Sequence, residues 1–428
     1  MSHSAVSRRG SRLLAAAALS FTALAAFAPT ASAAPPPPTP HSIPGAWIVT
    51  LEPGQAPDRV SAEHGRRHGA QVDHLYRHAL TGYAARMSDQ AAARVAQDPR
   101  VASVERDQIV TAFAPRNKTV VTPVAQTLPT GIDRIDGDLS DTLSGDGKEA
   151  VDVDVAVIDT GIDVDHPDLN VVGGKNCVTG GRSYDDGNGH GTHVAGTIAA
   201  KDDANGVVGV APGARLWAVR VLNNQGSGTR SGIICGVDWV SANRSTIEVA
   251  NMSLGGSGTE PTAEGCSTGD SYHDAICRSV AGGVTYVVAA GNSSADAATA
   301  VPAAYDEVVT VSALADFDGK PGALGASTCR ADVDDTFADF SNFGADVDLI
   351  APGVCIHSTW MGGGYDTISG TSMASPHVAG AAALIKAATP TATPDGVRTA
   401  LVAGGDLDWD NGDDRDPVKE TLLSVAGY

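Results

Sequence analysis

The chain predicts a three-layer α/β fold with a mostly parallel sheet, preceded by a small α+β domain. Short apolar runs rich in β-branched residues, at 153–158, 215–222, 247–252, 284–290, 308–313 and 347–351, alternate with helix-length segments. That alternation is the signature of a parallel sheet covered by helices on both faces. Ahead of it, residues 45–112 carry strand and helix patterns of their own, and 428 residues are enough to bury both units.

From the N-terminus, residues 1–33 hold Arg8, Arg9 and Arg12, an apolar stretch from Leu13 to Phe27, and the small-x-small pattern Ala31-Ser32-Ala33. This is the layout of a cleavable signal peptide, so a secreted, extracellular protein is expected. Arg8-Arg9 leaves a twin-arginine export route open. No later run has the length of a membrane span, so no membrane partner is expected. Residues 34–44, with prolines from Pro35 to Pro40, form a stiff linker. Within 45–112, Ala46–Leu51 and Leu80–Met87 are expected strands and Gln90–Gln97 a helix. Residues 113–124 have no periodic pattern and are expected to link this unit to a main domain over 125–428, with no further module after it. Residues 1–112 carry 11 Lys+Arg against 8 Asp+Glu and the rest of the chain a net −24, a contrast that favours docking of one part on the other. No basic patch, P-loop or HExxH is present, which argues against nucleic-acid partners, organic cofactors and zinc proteolysis. The six cysteines, Cys177, Cys235, Cys266, Cys277, Cys329 and Cys355, show no CxxC pairing and are expected as disulfides. Fifteen pairings are open. Separation favours Cys266–Cys277 and Cys329–Cys355, which leaves Cys177–Cys235.

Three segments carry the chemistry: VAVIDTGID around Asp159, GNGHGTHVAGT around His190 and GTSMASPHVAGA around Ser372. A serine hydroxyl is a weak nucleophile until a base takes its proton, and the base needs a carboxylate to hold its tautomer. Asp159 ends an apolar strand pattern, at the sheet edge where open α/β sheets place their sites. His190 stands at the start of a helix-like spacing through Val194 and Ile198. Ser372 opens a small-residue helix with Pro376 expected in its first turn, so that free N–H groups face the hydroxyl. A fourth run, Val287 to Asn292, reads as a strand ending in an amide donor. Gly255, Gly256, Ala290 and Gly291 add little side-chain bulk.

Together these segments, in the order Asp, His, Ser, resemble those of the subtilisin-like serine proteases. The resemblance implies an endopeptidase on a subtilisin-like fold, acting on polypeptides, with Asp159, His190 and Ser372 catalytic and Asn292 in the oxyanion hole. It makes His193 and His377 structural neighbours. It assigns Ser253, Leu254, Gly255, Gly256, Ala290 and Gly291 to one side of the substrate groove and Gly226 and Ile233 to the other, with Arg230 where relatives often carry an aromatic rim; the small residues so placed imply a roomy, uncharged slot, a preference for a large apolar or aromatic side chain before the cut bond, and broad tolerance elsewhere. Residues 98–107 resemble the end of I9-type inhibitory propeptides, implying a ferredoxin-like domain that templates folding, blocks the groove, and is cut off by the enzyme somewhere in 108–125. His64, His68, His74 and His78 of that domain are candidate acid sensors. A structural Ca²⁺ is implied at Gln126, Asp168 and Asp203 through side-chain oxygens and at Lys201, Asn205 and Val207 through carbonyls. A monomer is expected. Two rival readings remain: an ester or lipid hydrolase, for which GxSxG is absent and the triad order is wrong, and a non-enzymatic binding protein on a decayed protease fold, against which the intact triad and Asn292 argue.

Overall fold

The computed structural model describes residues 37, 39–113, 125–148 and 150–428. The expected signal peptide, residues 34–36 and 38 of the Pro-rich linker, and residues 114–124 lie outside them.

The N-terminal unit comprises β1 (Ser42–Leu51), α1 (Pro57–His68), β2 (Gln71–Tyr76), β3 (Gly82–Arg86), α2 (Asp89–Val95) and β4 (Val101–Ala112). Its strands pair antiparallel in the order β4-β1-β3-β2. Alternation splits the two faces of the sheet. Trp47, Val49, Tyr83 and Ala85 pack with Val60, Ala92 and Val95 of the helices, whereas Ile48, Ala84, Tyr76 and Val110 join a cluster that belongs to the main domain. Neither α1 nor β2 was apparent in the apolar pattern. Val60 is the one large buried apolar side chain of α1 apart from its leading proline. The end signals do mark the helix: Pro57 in its first turn and Gly69 at φ 74° after its last.

The main domain continues with α3 (Thr130–Arg134), β5 (Asp154–Asp159), β6 (Val171–Asn176), α4 (His190–Ala199), β7 (Arg215–Arg220), β8 (Ser227–Thr229), α5 (Arg230–Ala242), β9 (Val249–Met252) and β10 (Leu254–Ser257). There follow α6 (Ser271–Ala281), β11 (Thr285–Ala289), β12 (Ala300–Val301), β13 (Val309–Ala315), β14 (Thr336–Phe337), β15 (Leu349–Pro352), β16 (Ile356–Trp360), β17 (Gly364–Ile368), α7 (Thr371–Ala388), α8 (Pro394–Gly404) and β18 (Thr421–Leu422). The order β18-β15-β13-β11-β9-β5-β7-β6 is parallel throughout, and β14 adds an antiparallel pairing to β13. In β5, Val155 and Val157 face a core shared with α4 and α7, while Ala156 and Ile158 face a second core with α5 and α6. Those two cores separate the three layers. Cys177–Cys235, Cys266–Cys277 and Cys329–Cys355 are bonded.

One local expectation is corrected. Helix α7 begins at Thr371, so Pro376 lies beyond its first turn and inside the helix. A proline there cannot donate to the carbonyl four residues back. That carbonyl belongs to Ser372, and it accepts instead from Ser253 Oγ at 2.8 Å.

Candidate active site

Four elements converge at the C-terminal edge of the sheet. Asp159, the last residue of β5, is fully buried; its Oδ1 lies 2.7 Å from His190 Nδ1 and also accepts from Thr160 N–H at 2.7 Å. His190 opens α4 behind Gly189, whose φ of 106° and contact with the Trp360 ring exclude a side chain. Asp186, which the motifs did not single out, fixes the junction. It accepts from Thr160 Oγ1 at 2.9 Å and from Thr192 N–H and Oγ1 at 3.1 and 2.6 Å, tying the end of β5 to the start of α4. His190 Nε2 has no hydrogen-bond partner among the described residues. Burial disfavours a charged His190 ring, but the charge and hydrogen bond of Asp159 outweigh it and leave the pKa above the usual histidine value. The motif neighbours differ. Burial pushes His193 down to about 3 and His377 down to about 4, and both ring systems are tied to backbone carbonyls.

Ser372 stands in the first turn of α7, fully buried, with Oγ donating to the Ser253 carbonyl at 3.1 Å. Asn251 Nδ2 donates to Ser253 Oγ at 2.9 Å and Ser375 Oγ donates to Asn251 Oδ1 at 2.7 Å, so Ser253 buttresses the helix start more than it walls the groove. Asn292 follows β11 across Gly291. Its Oδ1 accepts from Thr371 N–H at 2.9 Å and Thr371 Oγ1 at 2.7 Å, which fixes the amide so that Nδ2 points outward. Nδ2 donates to the carbonyl of Phe113.

Phe113 is the end of the N-terminal unit's tail, and the groove is filled by that tail. β4 pairs antiparallel with β10 on one side, Leu254 opposite Ala112 and Gly255 opposite Thr111, and with β8 on the other, Gly228 opposite Val110 and Ser227 opposite Thr111. Ala112 N–H donates to the Gly226 carbonyl at 2.9 Å. This is strand addition to two open edges at once. The Phe113 ring lies over Gly255, where an added Cβ would sit 2.3 Å from it. Gly256 pairs with Val301 of β12, and Ala290 and Gly291 are held by Asn342, which donates to the Ala290 carbonyl at 2.8 Å and to the Gly291 carbonyl at 2.9 Å. Ile233 and Leu254 are buried in one cluster with Val110. Arg230 turns away from the groove, donating to the Ser257 carbonyl at 2.9 Å and stacking 5.6 Å from the Tyr272 ring centroid.

A model of the subtilase family matches residues 151–415, and a model of the peptidase inhibitor I9 matches residues 46–113. The chain belongs to the subtilase family. Subtilisin DY of Bacillus licheniformis is 42% identical over 280 residues, 65% of this chain and 91% of the relative. An extracellular serine proteinase of a Thermus strain is 40% identical over 393 residues, 85% of each chain. Among solved structures, a cold adapted subtilisin-like serine proteinase superposes with a TM-score of 0.55 at 36% identity, covering 69% of this chain and 97% of that one. This subtilase is a serine-type endopeptidase acting on polypeptides, and its I9 domain is its own intramolecular inhibitor.

Contacts outside the groove dock that inhibitor. Glu105 of β4 caps α6, accepting from Ser271 N–H at 3.2 Å and from Ser271 Oγ. Asp107 caps α5, accepting from Ser231 N–H at 3.0 Å and Ser231 Oγ at 2.5 Å. In return Asp238 of α5 accepts the N–H groups of Arg77, His78 and Ala79 at 3.0, 2.6 and 2.9 Å. Carboxylates at helix N-termini suit the dipole, but here they are desolvated. Burial, with Asp270 nearby, pushes Glu105 up to about 7, and burial raises Asp107. A carboxyl whose pKa is higher docked than free takes up a proton on docking. Its contribution is therefore greatest below the free value near 4.5 and is lost as pH rises toward about 7. Two of the four candidate acid sensors, His68 and His74, have the opposite sign: burial lowers them, so their protonation in acid loosens the fold that holds them. We expect the isolated I9 domain to inhibit the mature enzyme about tenfold more tightly at pH 5 than at pH 8, and Glu105→Gln to flatten that slope. Tighter inhibition at pH 8 by the wild-type domain, measured as Ki, would contradict the carboxylate origin.

Proposed function

We propose that this subtilase is a secreted, self-processing endopeptidase with broad specificity and a preference for a large apolar side chain before the cut bond, in which Ser372 is the nucleophile, His190 the base and Asp159 the orienting carboxylate. Ser372 Oγ attacks the substrate carbonyl carbon and gives its proton to His190 Nε2. Asp159 stabilises the resulting imidazolium, as the hydrogen bond to Nδ1 and the raised pKa of His190 support. Asn292 Nδ2 and the Ser372 N–H hold the oxyanion. His190 then returns the proton to the leaving amine, and water repeats the sequence on the acyl-enzyme. The observation that carries this reading is the Phe113 carbonyl held by Asn292 Nδ2 at the end of a tail paired on both sides.

The same contact supports Phe113–Ala114 as the self-processing bond, one residue beyond the expected unit boundary at 112 and inside the expected window of 108–125. The slot over Gly255 supports the preference for large apolar residues. Peptide substrates differing in the residue before the cut test it. Phe and Leu are expected to exceed Asp and Arg by at least about tenfold in kcat/KM, and a profile led by charged residues would overturn it. Signal-peptide export over residues 1–33 and a monomeric mature enzyme belong to the same reading. Among the described residues no helix is long and apolar enough to cross a membrane.

The implied Ca²⁺ fits the residues at the expected loop. Backbone bridges join Ala125 to Asn205 and Thr127 to Val207, and the Gln126 amide meets the Lys201 carbonyl at 3.0 Å. Asp168 Oδ2 accepts from Val207 N–H at 3.1 Å, while its Oδ1 is buried with no hydrogen-bond partner. Asp203 is exposed and accepts from Asn205 N–H at 2.7 Å. An orphaned buried carboxylate oxygen beside backbone carbonyls suits a hard cation. The ion would cross-link the segment around Gln126, before α3, to the loop after α4.

A further inference from the structure

Between α8 and β18 the chain runs through Asp406, Asp408, Asp410, Asp413, Asp414, Asp416 and Glu420, with Arg415 and Lys419 as the cations of that stretch. Asp414, Asp416 and Glu420 each bring a carboxylate oxygen to within 4.8 Å of the others. Glu420 is 3% exposed, and apart from a proton shared with the Asp414 carboxyl neither of its carboxylate oxygens meets a hydrogen-bond donor among the described residues. The Oδ2 atoms of Asp414 and Asp416 are buried and unpartnered as well. The loop itself explains their orientation. Asp414 Oδ1 accepts from Asp416 N–H at 3.4 Å and Asp416 Oδ1 from Val418 N–H at 2.7 Å, so each aspartate uses one oxygen to turn the chain and is left with the other unpaired. Glu420 is fixed through its backbone, whose carbonyl accepts from Trp409 Nε1 at 3.0 Å, next to β18 in the main sheet.

The neighbouring cations are engaged elsewhere. Arg415 donates to the carbonyls of Ser294 and Asp339 at 2.9 and 3.4 Å. Lys419 Nζ reaches the Trp409 carbonyl and lies 5.1 Å from that ring's centroid. Three clustered carboxylates, one of them deeply buried, cost several kcal/mol without compensation. A proton on Glu420 would relieve one charge and leave two. A divalent cation relieves the set, and donors that are all carboxylate oxygen select a hard one.

We propose that Asp414, Asp416 and Glu420 form a calcium site, separate from the loop of Asp168, that fastens the segment before β18 to the end of the sheet. The subtilase model match ends at residue 415, so Asp416 and Glu420 lie beyond it. Through Arg415 the site is also tied to the loop that follows Asn292.

The test uses the full precursor carrying Ser372→Ala, to prevent self-digestion, with calcium titrated calorimetrically and Tb³⁺ followed by luminescence excited through tryptophan. Adding Glu420→Gln, nearly isosteric, should remove one equivalent of bound calcium and most of the luminescence sensitised by Trp409. Asp416→Asn should do the same from the other side of the loop. Adding Asp168→Asn instead should leave the Trp409-sensitised signal in place. Calcium should raise the melting temperature of the parent more than that of the Glu420→Gln form, and with a chelator the two should melt alike. Equal calcium stoichiometry and equal Tb³⁺ luminescence in parent and Glu420→Gln, or a parent that binds no calcium sensitive to either loop variant, would overturn the proposal and leave a shared proton on Glu420 as the account of the cluster.

Discussion

Replacing Ser372 with alanine is expected to leave the precursor uncut, whereas the wild type loses everything up to Phe113. Intact masses of the two secreted products read the result directly. The wild-type mass should place the new N-terminus at Ala114, because the Phe113 carbonyl is the group held by Asn292 Nδ2. Turnover of added peptide should fall by about 10⁶, a magnitude borrowed from the nucleophile variants of subtilisin. The variant should still fold. The hydroxyl makes one hydrogen bond, to the Ser253 carbonyl at 3.1 Å, and its loss costs about 1 kcal/mol in a site that keeps its other contacts. The Ser253 Oγ bond to the Ser372 carbonyl, which closes the gap left by Pro376, does not depend on the side chain at 372. A variant that melts near the wild type yet stays uncut assigns the loss to chemistry. A variant cut at the same bond as fast as wild type would mean that another protease matures the precursor, and the peptide assay alone would then test Ser372.

Much of this was legible in the sequence because the features are local. The run 153–158 appears as β5, and Asp159 sits where an apolar strand ends in Asp-Thr-Gly. The glycines around His190 mark positions where backbone and rings pack too closely for a side chain. What stayed hidden depends on partners far apart in the chain. Glu105 and Asp107 look like ordinary surface acids until β4 docks and they cap α6 and α5, 166 and 124 residues away. Asp238 lies on a helix with no sign that it captures three N–H groups of another unit. Asp186 has no motif of its own, and its role follows from where Thr160 and Thr192 meet. The sequence puts Pro376 in the first turn of its helix because it does not show that Ser253, between β9 and β10, replaces the backbone donor the proline lacks. The acidic run before β18 carries no motif or periodic apolar pattern, and folding alone reveals that Glu420 is turned inside.

Asn292→Leu should separate catalysis from binding. The leucine has a similar size and cannot donate, so the developing oxyanion keeps the Ser372 N–H and loses its side-chain partner. In subtilisin, removing the corresponding amide donor costs about 10²–10³ in turnover, and that borrowed magnitude is the loss expected here in kcat. KM should change little, since β4 shows that an extended chain is gripped mainly by strand pairing with β8 and β10, to which the Asn292 contact at the Phe113 carbonyl adds a single hydrogen bond. The substitution also removes the acceptor of Thr371 N–H and Oγ1, which could disturb the start of α7. Thr371→Val controls for this: it deletes the hydroxyl contacts to Asn292 and to Gly291 N–H but leaves Asn292 Nδ2 in place. If the oxyanion role is right, Thr371→Val loses about tenfold or less while Asn292→Leu loses far more, with both retaining the substrate affinity of the parent. Equal losses in the two variants would make Asn292 a positioning residue for the Ser372 helix. A loss in Asn292→Leu that falls on KM as heavily as on kcat would remove the transition-state role altogether.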